Sequence, residues 1–215
     1  MKNKALLIIA FLIVTITKGQ IPLKDHYKAI ELYNAAVTLF QNGNYDTAVI
    51  KLEEAIKLDY SLRNSYLLLN KVLYVLEDTQ AQKELLTKAK TIFLEDDELC
   101  YYLGKIYQKE ENLNLAIQEL SEAIKYSKIN GEDFPIVYAY YTSRGACYLK
   151  LDNYEKAVTD FNDALKFNDS NANIYANKGV ALYKLKKTNE ACKSWQKALQ
   201  LGQKSVQTYL NKKCN

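Results

Sequence analysis

The chain has 215 residues, 48% of them hydrophobic, with 18 Tyr, 7 Gly, 2 Pro and a formal net charge of +4. So few Gly and Pro exclude an all-β chain, whose turns would need many more, and abundant Leu, Ala, Lys, Glu and Ile favour helix. Lys2, Lys4 and Lys18 lie in the first 19 residues, which hold no acid, so the rest carries 26 basic against 25 acidic side chains; that balance argues against nucleic acid as a partner.

Residues 1–19, MKNKALLIIAFLIVTITKG, begin with a basic stretch, run apolar from Ala5 to Thr17, and place Thr17 and Gly19 at cleavage spacing before Gln20. This is the plan of a secretory signal peptide. As a helix the apolar run would span about 20 Å, short of the ~30 Å hydrocarbon core of a membrane. The expectation is an exported chain, periplasmic or secreted, with an uncleaved membrane anchor as the alternative. The first cysteine is Cys100, which disfavours a lipid-anchored precursor. Residues 20–28 read as a lead-in.

A repeat organises the remainder of the chain. A column of small residues inside helical patterns runs through Ala36, Asn70, Gly104, Gly145 and Gly179, in steps of 34, 34, 41 and 34, with Asn70 replacing a small residue. Ala55, Ala89, Ala123, Ala164 and Ala198 keep the same steps, as do Ala48, Gln82, Ala116, Ala157 and Ala191, with Gln82 the misfit. The units fall near 29–62, 63–96, 97–130, 138–171 and 172–205. An insertion at 131–137 lies in a stretch, Lys128 to Val137, where Asn130-Gly131 and Pro135 signal a loop. Each unit reads as a helical hairpin. In the fourth, Tyr141, Gly145 and Tyr148 belong to one helix, Asp152-Asn153-Tyr154 turns the chain, and Ala157, Phe161 and Ala164 form a stripe on the second. Gly and Ala at the crossings let helices approach closely, while Leu39, Leu52, Tyr107, Leu120, Phe161 and Trp195 fill the space between units. Residues 206–215 read as a capping helix with Val206, Tyr209 and Leu210 on one face.

Cys100, Leu103, Gly104, Tyr107, Ala116 and Leu120 resemble the tetratricopeptide repeat pattern, as do Tyr141, Gly145, Tyr148, Ala157 and Phe161, and Tyr175, Gly179, Ala191 and Trp195. The resemblance covers residues 29–205. Cys100 stands where the family has an aromatic, Arg144 where it has Leu, and the closing Pro is missing throughout. The resemblance implies an all-α, right-handed α-solenoid of about five helix-turn-helix repeats with a C-terminal cap. It implies a concave groove lined by the first helix of each unit, holding an extended peptide or a helix of another protein.

In that groove Tyr33, Phe40, Leu67, Tyr74 and Tyr101 should make an aromatic N-terminal half, and Lys105, Lys109, Lys150 and Lys184 a basic C-terminal half. Such a surface favours a partner segment with apolar residues and an acidic stretch. Some family members clamp a terminal carboxylate with Lys, Asn and Arg. The matching positions here are Tyr33, Val37, Asn34 giving way to Leu68, and Glu98, so that clamp is missing.

Cys192, near the start of the fifth unit's second helix, and Cys214, at the end of the cap, come level if the two helices run antiparallel from the bend at Gly202. The same segment resembles the terminal unit of many exported bacterial repeat proteins. A bridge there would stabilise the cap by about 2–4 kcal/mol. Cys100 and Cys147 read as small buried thiols.

His26 is the only histidine, the glycines are scattered, and no Cys-x-x-Cys, Gly-x-Ser-x-Gly or zincin motif appears. Acidic pairs such as Glu53-Glu54, Asp96-Asp97 and Glu110-Glu111 read as solvated charges. No metal, cofactor or small-molecule substrate is expected, and no enzymatic role. The reading is a protein–protein interaction scaffold or adaptor of the cell envelope. Its alternatives are a self-associating structural module or a membrane-tethered sensor, a membrane being a partner only if the first segment stays uncleaved.

Overall fold

A computed structural model describes residues 21–131 and 135–214. Among the described residues, eleven α-helices run in antiparallel hairpins: α1 (Leu23–Gln41) with α2 (Tyr45–Leu58), α3 (Arg63–Val75) with α4 (Thr79–Ile92), and α5 (Asp97–Lys109) with α6 (Leu113–Asn130). Next come α7 (Val137–Lys150) with α8 (Tyr154–Phe167), then α9 (Ala172–Lys184) with α10 (Thr188–Gln200). A 3-10 turn, Lys204–Val206, leads into the short α11 (Gln207–Lys213). Among the described residues there is no strand, and no helix is long and apolar enough to cross a membrane. The signal segment expected at residues 1–19, with its cleavage point before Gln20, lies outside the described residues.

Small side chains set the packing. Ala48, Ala116, Ala157 and Ala191 are fully buried at the hairpin crossings, as are Ala55, Ala89, Ala123, Ala164 and Ala198. A Cβ at Gly104 would stand 2.9 Å from Leu120 Cγ, one at Gly145 2.9 Å from Phe161 Cε1, and one at Gly179 2.4 Å from Trp195 Nε1. Leu52, Leu86, Leu120, Phe161 and Trp195 occupy one column of the repeat, all fully buried. Each hairpin turns through one residue in the left-handed region: Gly43, then Glu77, Glu111, Asp152 and Lys186, with φ between 57° and 78°. The next residue's N–H closes the turn on a carbonyl oxygen five residues back, as from Asn44 to Leu39 at 2.9 Å and Lys187 to Leu182 at 3.0 Å.

Polar contacts about one repeat length apart in sequence tie the start of a hairpin to its end. Those of Arg63 with Glu98 and Tyr140 with Asp97 cross to the next unit. His26 Nδ1 lies 2.5 Å from Asp59 Oδ2, and the Arg63 guanidinium forks onto Asp96 and reaches Glu98 at 3.0 Å. The fork raises the Arg63 pKa, while burial of the side chain opposes it. Asp97 accepts from the buried Tyr140 hydroxyl at 2.7 Å and from Asn130 Nδ2 at 3.1 Å.

Two expected boundaries shift. The lead-in 20–28 is helical from Leu23, because Pro22 sits at the N-cap, its carbonyl oxygen takes the N–H groups of Asp25 and His26, and no breaker intervenes before Ala29. Lys128–Asn130, expected in a loop, complete α6, which ends at Gly131 with φ +96°. Ser127 is buried there and Asn130 is held to Glu95 and Asp97, so the helix gains contacts by continuing.

The cap is sealed by contact and by covalency. Val206 and Leu210 are buried, and Tyr209 stacks on Trp195 with ring centroids 4.9 Å apart. A disulfide joins Cys192 to Cys214, Cα atoms 5.7 Å apart. Cys100 and Cys147 are buried free thiols.

Candidate functional site

The second unit breaks the small-residue rule twice, at Asn70 and Gln82, and the fold responds there. Both side chains are buried, and Gln82 Nε2 donates to Asn70 Oδ1 at 2.9 Å and to its carbonyl oxygen at 3.1 Å. Two amides fill a crossing that holds Gly and Ala elsewhere, so α3 and α4 pack less closely than the helices of the other hairpins. Beside this opened hairpin lies a cleft of about 920 Å³ lined by α1, α3, α4, α5 and the end of α7, with Asn70 and Gln82 in its wall.

Of the side chains expected in a groove, Tyr33, Leu67, Tyr74, Tyr101, Lys105, Lys109 and Lys150 line this cleft. Phe40 and Lys184 do not. Phe40, near the end of α1, packs against Tyr45 at 5.6 Å, and Lys184, at the end of α9, sits 6.0 Å over the Tyr154 ring. The expected division into an aromatic half and a basic half is replaced by one mixed cleft. At the repeat positions of Tyr101 and Lys105, the fourth and fifth units carry Thr142, Ala146, Ala176 and Val180. Spacing alone does not single out Asn64, Lys71, Tyr102, Gln108 or the Asn70–Gln82 pair. The sequence does carry a signal for that pair: both residues are misfits in columns of small ones.

Four lysines and one glutamate line the cleft. Lys150 is paired with Glu111 at 2.7 Å. Lys109 reaches only Thr79 Oγ1 at 3.2 Å, Lys71 lies 5.0 Å over the Phe40 ring, and Lys105 donates to Gln108 Oε1 at 2.7 Å. Among the described residues, none of these three meets a carboxylate. Burial pushes the Lys105 ammonium below its ordinary pKa. Tyr74, 69% exposed, stands at the rim.

Two other clusters are structural. Ser61 Oγ and His26 Nδ1 both bond to Asp59, at 2.6 and 2.5 Å, which makes the trio a turn cap. Cys100, Glu119 and Glu122 gather beside Lys90, whose ammonium bonds both glutamates, and burial pushes the Cys100 thiol up to about 12. A protonated thiol and two paired carboxylates offer a cation little.

Family models described as tetratricopeptide repeat match residues 32–61, 97–130 and 172–203, and one described as TPR repeat matches 145–186. The Hsp70/Hsp90 co-chaperone CNS1 of Saccharomyces cerevisiae is 32% identical over 100 residues, 42% of this chain and 26% of that protein. Stress-induced-phosphoprotein 1 of Caenorhabditis elegans is 24% identical over 205 residues, 86% of this chain and 58% of that protein. The chain thus spans roughly a quarter of the one and just over half of the other. Among solved structures, YrrB, a TPR protein with an unusual peptide-binding site, superposes with a TM-score of 0.70 at 22% identity, covering 88% of this chain and 94% of that one. MamA gives a TM-score of 0.70 at 19% identity, covering 84% and 94%. The fold is that of these repeat proteins, and the chain belongs to the tetratricopeptide repeat family.

Proposed function

We propose that the protein is a non-enzymatic adaptor whose cleft between the first and third units holds an extended segment of a partner protein. The segment carries an acidic residue for Lys71, Lys105 and Lys109 and an aromatic or aliphatic one for Tyr74 and Leu67. The observation that carries this reading is three lysines without carboxylates beside an exposed Tyr in one cleft. An ammonium without a carboxylate partner gains from an anion brought to it. YrrB, by its own description, has a peptide-binding site, and CNS1 is described as a co-chaperone, which supports a polypeptide as the ligand class. The missing carboxylate clamp favours a side-chain acid over a chain terminus.

An array of extended peptides should select sequences pairing Asp or Glu with an aromatic or Leu. Tyr74→Ala and Lys105→Ala should each weaken the selected peptide about tenfold in calorimetric titration with the helical signal unchanged. Selection of basic peptides, or equal affinity in both variants, would refute the assignment.

We place this adaptor in the cell envelope or outside the cell. The signal-like order of residues 1–19 and a disulfide suited to an oxidising compartment support that location. The intact mass of the protein recovered from its cells should correspond to a chain starting at Gln20; a mass retaining Met1 would point to the anchored alternative.

A further inference from the structure

The chain's lysines are unevenly placed. Residues 172–214 hold nine lysines and a single acid, Glu190. All but Lys178 are exposed, and among the described residues none of the nine forms an ion pair. The fold concentrates them further. The Cys192–Cys214 bridge brings the end of α11 beside the start of α10, and Lys213 Nζ lies 5.1 Å over the Tyr183 ring at the end of α9. Lys212 and Lys213 thereby join Lys186 and Lys187 of the α9–α10 turn at one edge of the molecule, with Lys184 and Lys193 flanking them. A net charge of +4 for the whole chain conceals this local surplus.

We propose that this C-terminal edge docks on an anionic lipid surface. Exposed, hydrated ammonium groups, beside only a shallow hollow of about 280 Å³ at Lys186, Lys187 and Glu190, suit a plane of phosphate headgroups, to which each lysine adds a roughly equal increment. Other polyanions fit less well. A single nucleic-acid strand uses open aromatic faces on which bases stack. Here Lys213 covers Tyr183, Lys184 lies over Tyr154, Trp195 is buried and Tyr209 stacks on Trp195. A second copy offers no free complement at the ion-paired carboxylates of its acid-rich third unit, where Arg63, Lys83, Lys90 and Lys150 already neutralise Glu98, Glu110, Glu119 and Glu111. Reading residues 1–19 as an export or anchor segment would bring the chain to such a surface. The edge lies apart from the cleft, so a docked molecule keeps the cleft open to its partner.

The test is co-sedimentation of the full chain with vesicles of phosphatidylcholine alone and of equal parts phosphatidylcholine and phosphatidylglycerol. The neutral vesicles register whatever the apolar first segment contributes. The excess partitioning on anionic vesicles should fall by about a hundredfold or more in the quadruple variant Lys186→Gln/Lys187→Gln/Lys212→Gln/Lys213→Gln, at about fivefold per charge. These side chains are exposed and form no ion pair among the described residues, so the variant should keep its helical circular dichroism. Cys214→Ser, which frees the end of α11, should lower the excess less than the quadruple change. An excess equal in wild type and quadruple variant overturns the proposal. So does lysine-dependent binding of duplex DNA with no anionic excess on vesicles.

Discussion

The pyrrole edge of Trp195 abuts the backbone of Gly179, and its Nε1 donates to the Ala176 carbonyl oxygen at 3.2 Å. The indole is held on its other side by Tyr209, so it has no direction in which to yield. Gly104 faces the Cγ and Cδ2 of Leu120 instead, an aliphatic side chain that can give by small torsional shifts where a fused ring cannot. Gly179→Ala should therefore cost about 2–3 kcal/mol in urea unfolding and Gly104→Ala about 1 kcal/mol. Equal losses would show that the closeness of the helices, and not the stiffness of the partner ring, sets the cost. Both glycines are legible in the sequence, since they fall on one column of the repeat. Which of them is intolerant is not legible, because that depends on what the facing residue is itself packed against.

The hairpin of α3 and α4 is where element packing and function meet. Asn70 and Gln82 satisfy each other across the crossing, and neither has space to be replaced without consequence for the other. Gln82→Ala alone should lose about 1–3 kcal/mol by leaving the Asn70 amide buried without its partner. Asn70→Ala/Gln82→Ala should recover most of that loss, since the crossing then matches its neighbours, yet should bind the selected peptide less well as the helices close. Additive losses in the double-mutant cycle would contradict the coupling. The misfit at Gln82 is visible as a break in a column of alanines. Its meaning is not, because the hydrogen bond to Asn70 crosses the hairpin and leaves no trace in the spacing of either helix. Phe40 and Lys184 illustrate the opposite limit. Both keep groove-like spacing, but each sits in the last turn of its helix and is taken up by a neighbouring ring or cation.

At the scale of the molecule, the repeat length determines which helices pair and where the chain departs from regularity. Hairpin order, the interruption before α7 and the closing cap all follow from the buried columns. The early start of the first helix leaves no mark in the repeat columns, because no small residue falls within Leu23–Lys28. The distribution of charge is equally hidden: summing lysines and acids along the chain averages an acid-rich third unit with a lysine-rich fifth. A linear array keeps such differences local, because each unit touches only its neighbours.

That locality has a corollary for the opened hairpin. Since the pocket arises from two amides at a crossing and from side chains on four consecutive units, it behaves as a cassette. Grafted as a block into an unrelated array of regular repeats, residues 29–150 would bring their own specificity along, and the recipient's remaining units would need no redesign.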